Sequence, residues 1–261
     1  MCDATNLEIL DMISISETVA QLGDKDQVKA YQARKALLEA VIKAGGNPEE
    51  RTALATALAD ELKTLTAKVK TEAQGNRPSD PKPEQQMCSV VSQLLGQVAD
   101  DAQVPALVAA LQEMGTREMS RWALDRIPTP AATTALIEAL ELVGPEFRVG
   151  VINALAKRRS PEIVAALHKQ AADADGQVRL AAVEALANFA EPSNDEPIVA
   201  GTKAGSPRAR ARAQKARVRL ADTLRVAGKK DAAIAIYKAI IANDADEPQK
   251  KAARLALERL T

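Results

Sequence analysis

One spacing recurs along the middle of this chain and restricts what it can fold into. The pair Ala123-Leu124 recurs as Ala154-Leu155 and again as Ala185-Leu186, 31 residues further on each time. Arginines follow the same spacing, at Arg117, Arg148, Arg179 and Arg210. A fixed period over several units is typical of stacked helical hairpins, because one hairpin cannot bury its apolar face alone. We therefore predict an all-α fold, a right-handed α-solenoid of stacked helical hairpins preceded by an N-terminal helical hairpin.

The composition agrees with closely packed helices. Hydrophobic residues make up 46% of the chain but aromatic residues only 2%, so Ala, Leu, Val and Ile must form the core. A β-sandwich would favour aromatic and β-branched residues instead. Lys plus Arg and Asp plus Glu both number 35, whereas a general nucleic-acid or membrane-surface binder is usually basic. No run of about 18 apolar residues occurs, so we expect no transmembrane segment.

Local signals divide the chain into four parts. A helix is predicted from Asp26 to Ala44, and "NPEE" after the glycines at 45–46 has the cap residues that begin another. The stretch "GNRPSDPKPEQ" contains three prolines and almost nothing apolar, which is typical of a linker. We predict an N-terminal helical region at 1–74, a linker at 75–85, repeats at 86–216 and C-terminal helices at 217–261.

Two stretches resemble the HEAT-repeat family, in particular its short bilin-lyase-type repeats: "TALIEALELVGPEFRVGVINALAKRRS" and "AALHKQAADADGQVRLAAVEALANFA". The resemblance covers about residues 101–216. The family's turn Asp, six residues before the Arg, is present only as Asp173, which puts the family's Asp–Arg pairing in doubt in the other units. "LADTLRVAGKKDAAIAIYKAIIAND" resembles a tetratricopeptide repeat. Both resemblances imply a protein-binding scaffold.

Equivalent positions of the repeats form columns that share one environment. The all-alanine column Ala123, Ala154, Ala185 and Ala216 fits a tight helix–helix contact. Two columns four residues apart are mostly polar and lie on one helix face; they hold Trp122, Asn153, Glu184 and Lys215, and then Arg126, Lys157, Asn188 and Arg219. We predict that this face is exposed, and the HEAT resemblance implies that the second helix of each pair lines the concave surface.

The ends of this exposed face supply the candidate binding residues. Trp122 is the only tryptophan, and an exposed Trp beside Arg126 is typical of a binding hot spot. The alternative is that Trp122 packs against the bend before Pro128. At the other end the spacings of four, three and four place four cations on one helix face: Arg208, Arg212, Lys215 and Arg219. With Lys157 they form a candidate site for an acidic partner segment or a phosphate.

The cationic face has a plainer interpretation, in which it is solvated and neutralised by Asp195, Glu196 and Asp222. The arginines at the 31-residue spacing are predicted to be structural, with stems packed between units and guanidinium groups donating to turn carbonyls. A ligand role for these arginines is the alternative.

The sequence predicts no catalytic residue, no metal site and no cofactor. His168 is the only histidine, and neither CxxC nor HExxH occurs. We expect His168 to be a helix-packing or partly exposed residue. Cys2 and Cys88 are expected to be reduced thiols of a cytoplasmic protein. The alternative is a periplasmic or lipid-anchored protein in which Cys2 bears the lipid.

These observations favour a non-enzymatic scaffold that binds a protein or peptide along the second-helix face. A nucleic-acid-binding HEAT-like protein is one alternative, although zero net charge and Glu184 within the face count against it. A bilin-lyase-like enzyme is another, suggested by the repeat subtype alone.

Limited proteolysis tests the predicted linker. Residues 75–85 should contain the first cut, because polar proline-rich loops lack buried backbone contacts. Mass spectrometry of the earliest fragments locates that cut. First cuts within the 31-residue repeats would contradict the predicted organisation.

Overall fold

The computed structural model describes residues 14–72, 83–158, 160–242 and 246–260, and within these ranges it contains helices and no strand. The described residues form fourteen α-helices, which confirms the all-α prediction. They are α1 (Ile15–Gln21), α2 (Gln27–Ala44), α3 (Pro48–Glu72), α4 (Pro83–Val98), α5 (Val104–Gln112), α6 (Arg117–Arg126), α7 (Pro130–Leu142), α8 (Pro145–Leu155), α9 (Pro161–Gln170), α10 (Gly176–Leu186), α11 (Asp195–Lys203), α12 (Pro207–Val226), α13 (Lys230–Ala242) and α14 (Glu247–Glu258).

The chain divides into two compact units between Leu142 and Val143. This boundary lies inside the predicted repeat array. The predicted linker is not the unit boundary. Its residues 75–82 lie outside the described residues, and residues 83–85 are the first turn of α4. Helices α3 and α4, on either side of it, pack against each other. The predicted linker therefore falls within the sequence range of unit 1, and the division of the chain into four parts stays a prediction.

Unit 1 is a stack of helical pairs covered by two N-terminal helices. Helix α3 pairs with α4 and α5 pairs with α6, while α3 packs on α5 and α4 packs on α6. The repeat arrangement therefore begins at α3, the second helix of the predicted N-terminal hairpin. The predicted cap at Asn47 is confirmed: its Oδ1 accepts from the Glu49 amide at 3.0 Å, and its Nδ2 donates to Glu50 at 3.1 Å. Helices α1 and α2 pack against α3 and α4.

Unit 2 places its second helices side by side. Helix α10 packs against both α8 and α12, while α9 and α11 pack against α10. Helices α13 and α14 pack on α12 and on each other. The turn before α13 contains Gly228 at φ 80°, a left-handed conformation that favours glycine. Tyr237 of α13 is fully buried and donates to Asp222 of α12 at 2.7 Å.

The alanine column is buried, as expected for positions between packed helices. Ala154, Ala185 and Ala216 of unit 2 are 0%, 3% and 2% exposed, and Ala123 of unit 1 is 0% exposed. The adjacent leucines Leu124, Leu155 and Leu186 are also fully buried. Side chains of one carbon allow the helices to approach closely, and the leucines fill the space around them.

Replacement of a column alanine tests this packing. Ala154→Leu should lower the free energy of unfolding by roughly 1–3 kcal/mol, because three extra carbons must enter a filled helix contact. Chemical denaturation measures the loss.

The neighbouring residue supplies the control. Asn153 is exposed on the same helix, so Asn153→Leu should change the free energy of unfolding by no more than about 0.5 kcal/mol. Equal losses for the two variants would show that the column does not form the helix contact.

Candidate partner-binding surface

The predicted polar columns lie on the outer side of the second helices in unit 2. Because the alanines turn inward, residues one position earlier and three positions later turn outward. Glu184 is half-buried and the other members are exposed. We call this set the second-helix face of unit 2, and it comprises Asn153, Lys157, Glu184, Asn188, Arg208, Arg212, Lys215 and Arg219.

Helix α12 contributes half of this face. Ser206 caps the helix, with its hydroxyl accepting from the Ala209 amide at 3.2 Å, and Pro207 occupies the first turn. Ala213, Ala216 and Leu220 are buried, so the cations on the other side of the helix face outward. Arg208, Arg212, Lys215 and Arg219 are all exposed, as their spacing predicted.

A bidentate ion pair ties α12 to α10 at the middle of the face. Arg212 donates from Nε to Glu184 Oε1 at 2.6 Å and from Nη2 to Oε2 at 2.5 Å. The hydrogen bonds to Glu184 raise the pKa of the Arg212 guanidinium, which therefore stays charged. Arg219 donates to the backbone oxygen of Glu184 at 2.6 Å. One acidic residue thus orients two of the four cations.

Two of the three acids expected to neutralise the cations have other partners. Asp195 accepts two hydrogen bonds from Arg217, at 2.7 and 2.9 Å, and Asp222 accepts from Tyr237. The acid that contacts Arg212 and Arg219 is instead Glu184 of the adjacent repeat. Within the described part of the chain, Arg208 and Lys215 make no hydrogen bond or ion pair.

Lys157 lies just after α8, at the other edge of the face. Its side chain is exposed. Beside it, Asn188 donates to the backbone oxygen of Ala156 at 3.1 Å, which connects the ends of α8 and α10. Five of the seven candidate residues therefore belong to unit 2, four on α12 and Lys157 just after α8.

Trp122 and Arg126 belong to unit 1 and form a separate feature. Trp122 is half-buried rather than fully exposed, and packing on the bend before Pro128 remains a prediction. Its ring lies against Gly96 of α4, and the guanidinium carbon of Arg126 is 4.8 Å from the ring centroid. Arg126 Nε also donates to the Gly96 oxygen at 3.3 Å. The missing side chain of Gly96 creates the space that the indole occupies, which the columns alone could not reveal.

The repeated arginines have the predicted structural role. Each of the four donates to the carbonyl five residues earlier, and the acceptors are therefore also 31 residues apart: Gln112 at 3.4 Å, Val143 at 3.1 Å, Ala174 at 2.7 Å and Gly205 at 2.7 Å. Asp173 pairs with Arg148, the arginine of the preceding repeat, whereas Arg179 binds the Asp173 backbone oxygen at 2.6 Å. These contacts close the turns between helices and keep the arginines away from the second-helix face.

His168 also packs between helices, as expected. One of its ring nitrogens, Nε2, is 2.8 Å from Asn194 Oδ1, and Asn194 is fully buried in the turn before α11. Asn194 donates to the backbone oxygens of Leu186 and Phe189 at 3.0 and 3.1 Å, which satisfies the end of α10. Sequence reasoning missed Asn194, because it lies in a polar turn segment that gives no signal of burial.

No cluster of three His, Cys, Asp or Glu side chains among the described residues is placed to hold a metal ion. Burial raises the pKa of the Cys88 thiol to about 11, so the thiol is protonated and a poor nucleophile at neutral pH. Cys2 lies outside the described residues. No helix that the structure describes is long and apolar enough to span a bilayer.

Residues 144–217 match the family model for HEAT repeats, in agreement with the sequence resemblance. This segment belongs to the HEAT-repeat family. It contains α8 to α11 and the first half of α12, and so four of the five candidate residues of unit 2; Arg219 lies two residues beyond it. No curated protein matches the chain.

Several solved structures are similar in fold at low identity. The complex of CpcE and CpcF of phycocyanin lyase from Nostoc sp. PCC7120 is 17% identical, with a TM-score of 0.42 and coverage of 95% of both chains. A designed armadillo repeat protein in complex with the peptide (KR)4 is 19% identical, with a TM-score of 0.33 and coverage of 95% and 100%. Human deoxyhypusine hydroxylase is 15% identical, with a TM-score of 0.31 and coverage of 96% and 97%. These similarities assign no function to this chain.

Substitution of Gly96 tests how Trp122 is held. A Cβ at Gly96 would lie 3.1 Å from the indole and 3.2 Å from the Ala123 Cα. Gly96→Val should therefore lower the free energy of unfolding by about 2 kcal/mol. It should also shift the emission of Trp122 to longer wavelength, because the ring is displaced towards solvent.

Gln97→Val is the matched control, since it places the same residue at the next, exposed position of α4. It should leave the emission maximum unchanged. An unchanged emission maximum in Gly96→Val would show that the ring does not depend on the space at Gly96.

Proposed function

We propose that this protein is a non-enzymatic scaffold whose second-helix face in unit 2 binds an acidic peptide segment of a protein partner. The supporting observation is the charge of that face. It carries five cations and one acid, and both carboxylate oxygens of that acid, Glu184, already accept from Arg212. The face thus has an excess of positive charge on a chain whose formal net charge is zero.

The arrangement suits an elongated partner. Lys157 follows α8, whereas the other four cations lie on α12, and α10 packs between these two helices. Packed helices are about 8–10 Å apart, so the cations span roughly 20 Å. An extended peptide covers that distance with about six residues. A segment with acids at both ends would contact Lys157 and the α12 cations together.

Two of the cations are held before a partner arrives. Arg212 and Arg219 are oriented by their contacts with Glu184, so part of the side-chain entropy lost on binding is already lost in the free protein. Arg208 and Lys215 supply charge to attract the partner. Electrostatic steering of this kind mainly raises the association rate.

Trp122 with Arg126 is proposed as a second contact point, on unit 1. The stacked guanidinium holds the half-buried indole, so the ring offers a rigid apolar edge of the kind common at hot spots. A partner residue that is apolar would fit this position.

A peptide titration tests the proposal for unit 2. A fluorescein-labelled peptide of alternating Glu and Ala should bind the full chain, and the same peptide with Gln in place of Glu should not. Arg208→Glu combined with Lys215→Glu should weaken binding at least tenfold, about 1.4 kcal/mol, because charge reversal replaces attraction of the acidic peptide by repulsion. The affinity of this double variant for the peptide should also depend less on salt, as measured by fluorescence anisotropy between about 50 and 200 mM NaCl.

The matched control reverses two exposed lysines on first helices, with Lys203→Glu and Lys238→Glu. Its affinity should remain within twofold of the unmodified chain. Equal loss in both variants would mean that net charge alone drives binding, which contradicts a defined site. A duplex of about 20 base pairs that displaces the peptide at much lower concentration would favour the nucleic-acid alternative instead.

A further inference from the structure

Helix α2 of unit 1 carries an apolar stripe that faces solvent. Four large side chains form it: Val28 is 63% exposed, Tyr31 69%, Leu38 38% and Ile42 77%. The helix is already packed on its other side, where Ala33, Leu37, Val41 and Ala44 are buried. Single exposed apolar residues are ordinary, but four in a row along one helix mark an interaction surface. We call these four residues the α2 stripe.

The spacing of the α2 stripe indicates what shape of partner it fits. Residues 28, 31, 35, 38 and 42 are separated alternately by three and four positions, which is the a and d pattern of a helix-to-helix seam. Lys35 occupies the central position, and its ammonium is 3.7 Å from Glu39 one turn later. A stripe over two heptads with one polar interruption is complementary to another amphipathic helix, and the interruption selects a register.

A cavity continues the stripe at Tyr31. It has a volume of about 590 Å³, and its wall includes Tyr31, Arg34, Val90, Met114, Met119 and Glu118. The Glu118 carboxylate is already paired with Arg121 at 2.8 Å. Met114 is 75% exposed. Methionine side chains adapt to different apolar partners. The cavity can therefore take a large apolar side chain from a helix lying on the α2 stripe.

The charge around the stripe identifies the chemistry of the partner. Five cations lie on α2 or just before it, against three acids: Lys25, Lys29, Arg34, Lys35 and Lys43, and Asp24, Asp26 and Glu39. Asp26 is engaged as the cap of α2, with Oδ1 accepting from the Val28 amide at 2.9 Å, and Asp24 accepts from the Asp26 amide at 2.8 Å. Arg34, at the edge of the cavity, donates to a neutral amide oxygen, that of Gln93, at 3.3 Å.

We propose that the α2 stripe and the adjoining cavity form a docking site for an acidic amphipathic helix of another protein. Its apolar seam packs on the stripe, one large side chain enters the cavity, and flanking carboxylates contact Arg34 and Lys35. A second copy of this chain is the less complementary occupant, because two α2 helices would place cations against cations. The site is separate from the second-helix face of unit 2 and does not depend on the function proposed for that face.

The test uses the full chain and two capped, fluorescein-labelled peptides of about three heptads, long enough to form a helix. Both have Leu at a and d; one has Glu at e and g, and the other has Lys. The Glu peptide should bind with a dissociation constant below roughly 100 µM, and the Lys peptide at least tenfold more weakly. Ile42→Ser and Tyr31→Ser should each weaken binding of the Glu peptide about tenfold or more, because central apolar contacts dominate such interfaces.

Val226→Ser is the matched control, because Val226 is 76% exposed, almost the same as Ile42, but lies on α12 of unit 2. It should change the affinity by less than twofold. The Arg208→Glu and Lys215→Glu combination should also leave the affinity unchanged, which separates this site from the one in unit 2.

Three results would overturn the proposal. The first is no saturable binding of the Glu peptide. The second is equal affinity of the unmodified chain and Ile42→Ser. The third is a dimer of the unmodified chain in sedimentation equilibrium that Ile42→Ser abolishes, since a second copy would then occupy the stripe.

Discussion

The close contact between second helices, made through alanine, is the constraint on which the surfaces of this protein depend. In unit 2 a buried alanine lies on each of α8, α10 and α12, at Ala154, Ala185 and Ala216. Rotation of such a helix about its axis would move the methyl group out of the contact, which would open a gap, or bring a larger side chain in, which would create a clash. Once the alanine of a helix faces inward, the outward position of every other side chain on that helix follows. The second-helix face is in this sense a consequence of the packing.

Arginine has three different roles in the same repeats, and its position on the helix determines which role it has. At the start of each second helix it binds the carbonyl five residues earlier and closes a turn, as Arg210 does with Gly205 at 2.7 Å. Beside the leucine column, Arg217 reaches back to Asp195 at 2.7 Å and is half-buried. On the outer face, Arg212 binds a carboxylate of the neighbouring helix and stays exposed. Of the three, the last position is the exposed one, which is why a simple count of arginines says little about the charge of the surface.

The two proposed binding sites differ in the interactions that would supply their affinity. The second-helix face of unit 2 is polar, and its cations are partly oriented by Glu184, so charge would govern both attraction and salt dependence. The α2 stripe of unit 1 is apolar with cations at its margin, so burial of side chains such as Ile42 would supply most of the affinity. The HEAT-repeat segment, residues 144–217, includes the first site except Arg219, and none of the second.

The sequence by itself determined the helical class, the 31-residue period, the inward alanines and the outward cations. Each of these follows from local spacing: a helix with 3.6 residues per turn places side chains three and four apart on one face, whatever surrounds it. The cap at Asn47 and the turn-closing arginines were predictable for the same reason, since donor and acceptor are close along the chain.

Tertiary structure alone decided contacts between residues distant in sequence. The Glu184 carboxylate meets Arg212 across 28 positions, Trp122 depends on the absence of a side chain at Gly96, and the buried Asn194 joins His168 to the end of α10. The division between Leu142 and Val143 and the exposure of the α2 stripe are of the same kind, because both depend on which helices pack together and which faces remain uncovered. Periodicity defines which residues share a face of one helix, but not what lies opposite that face.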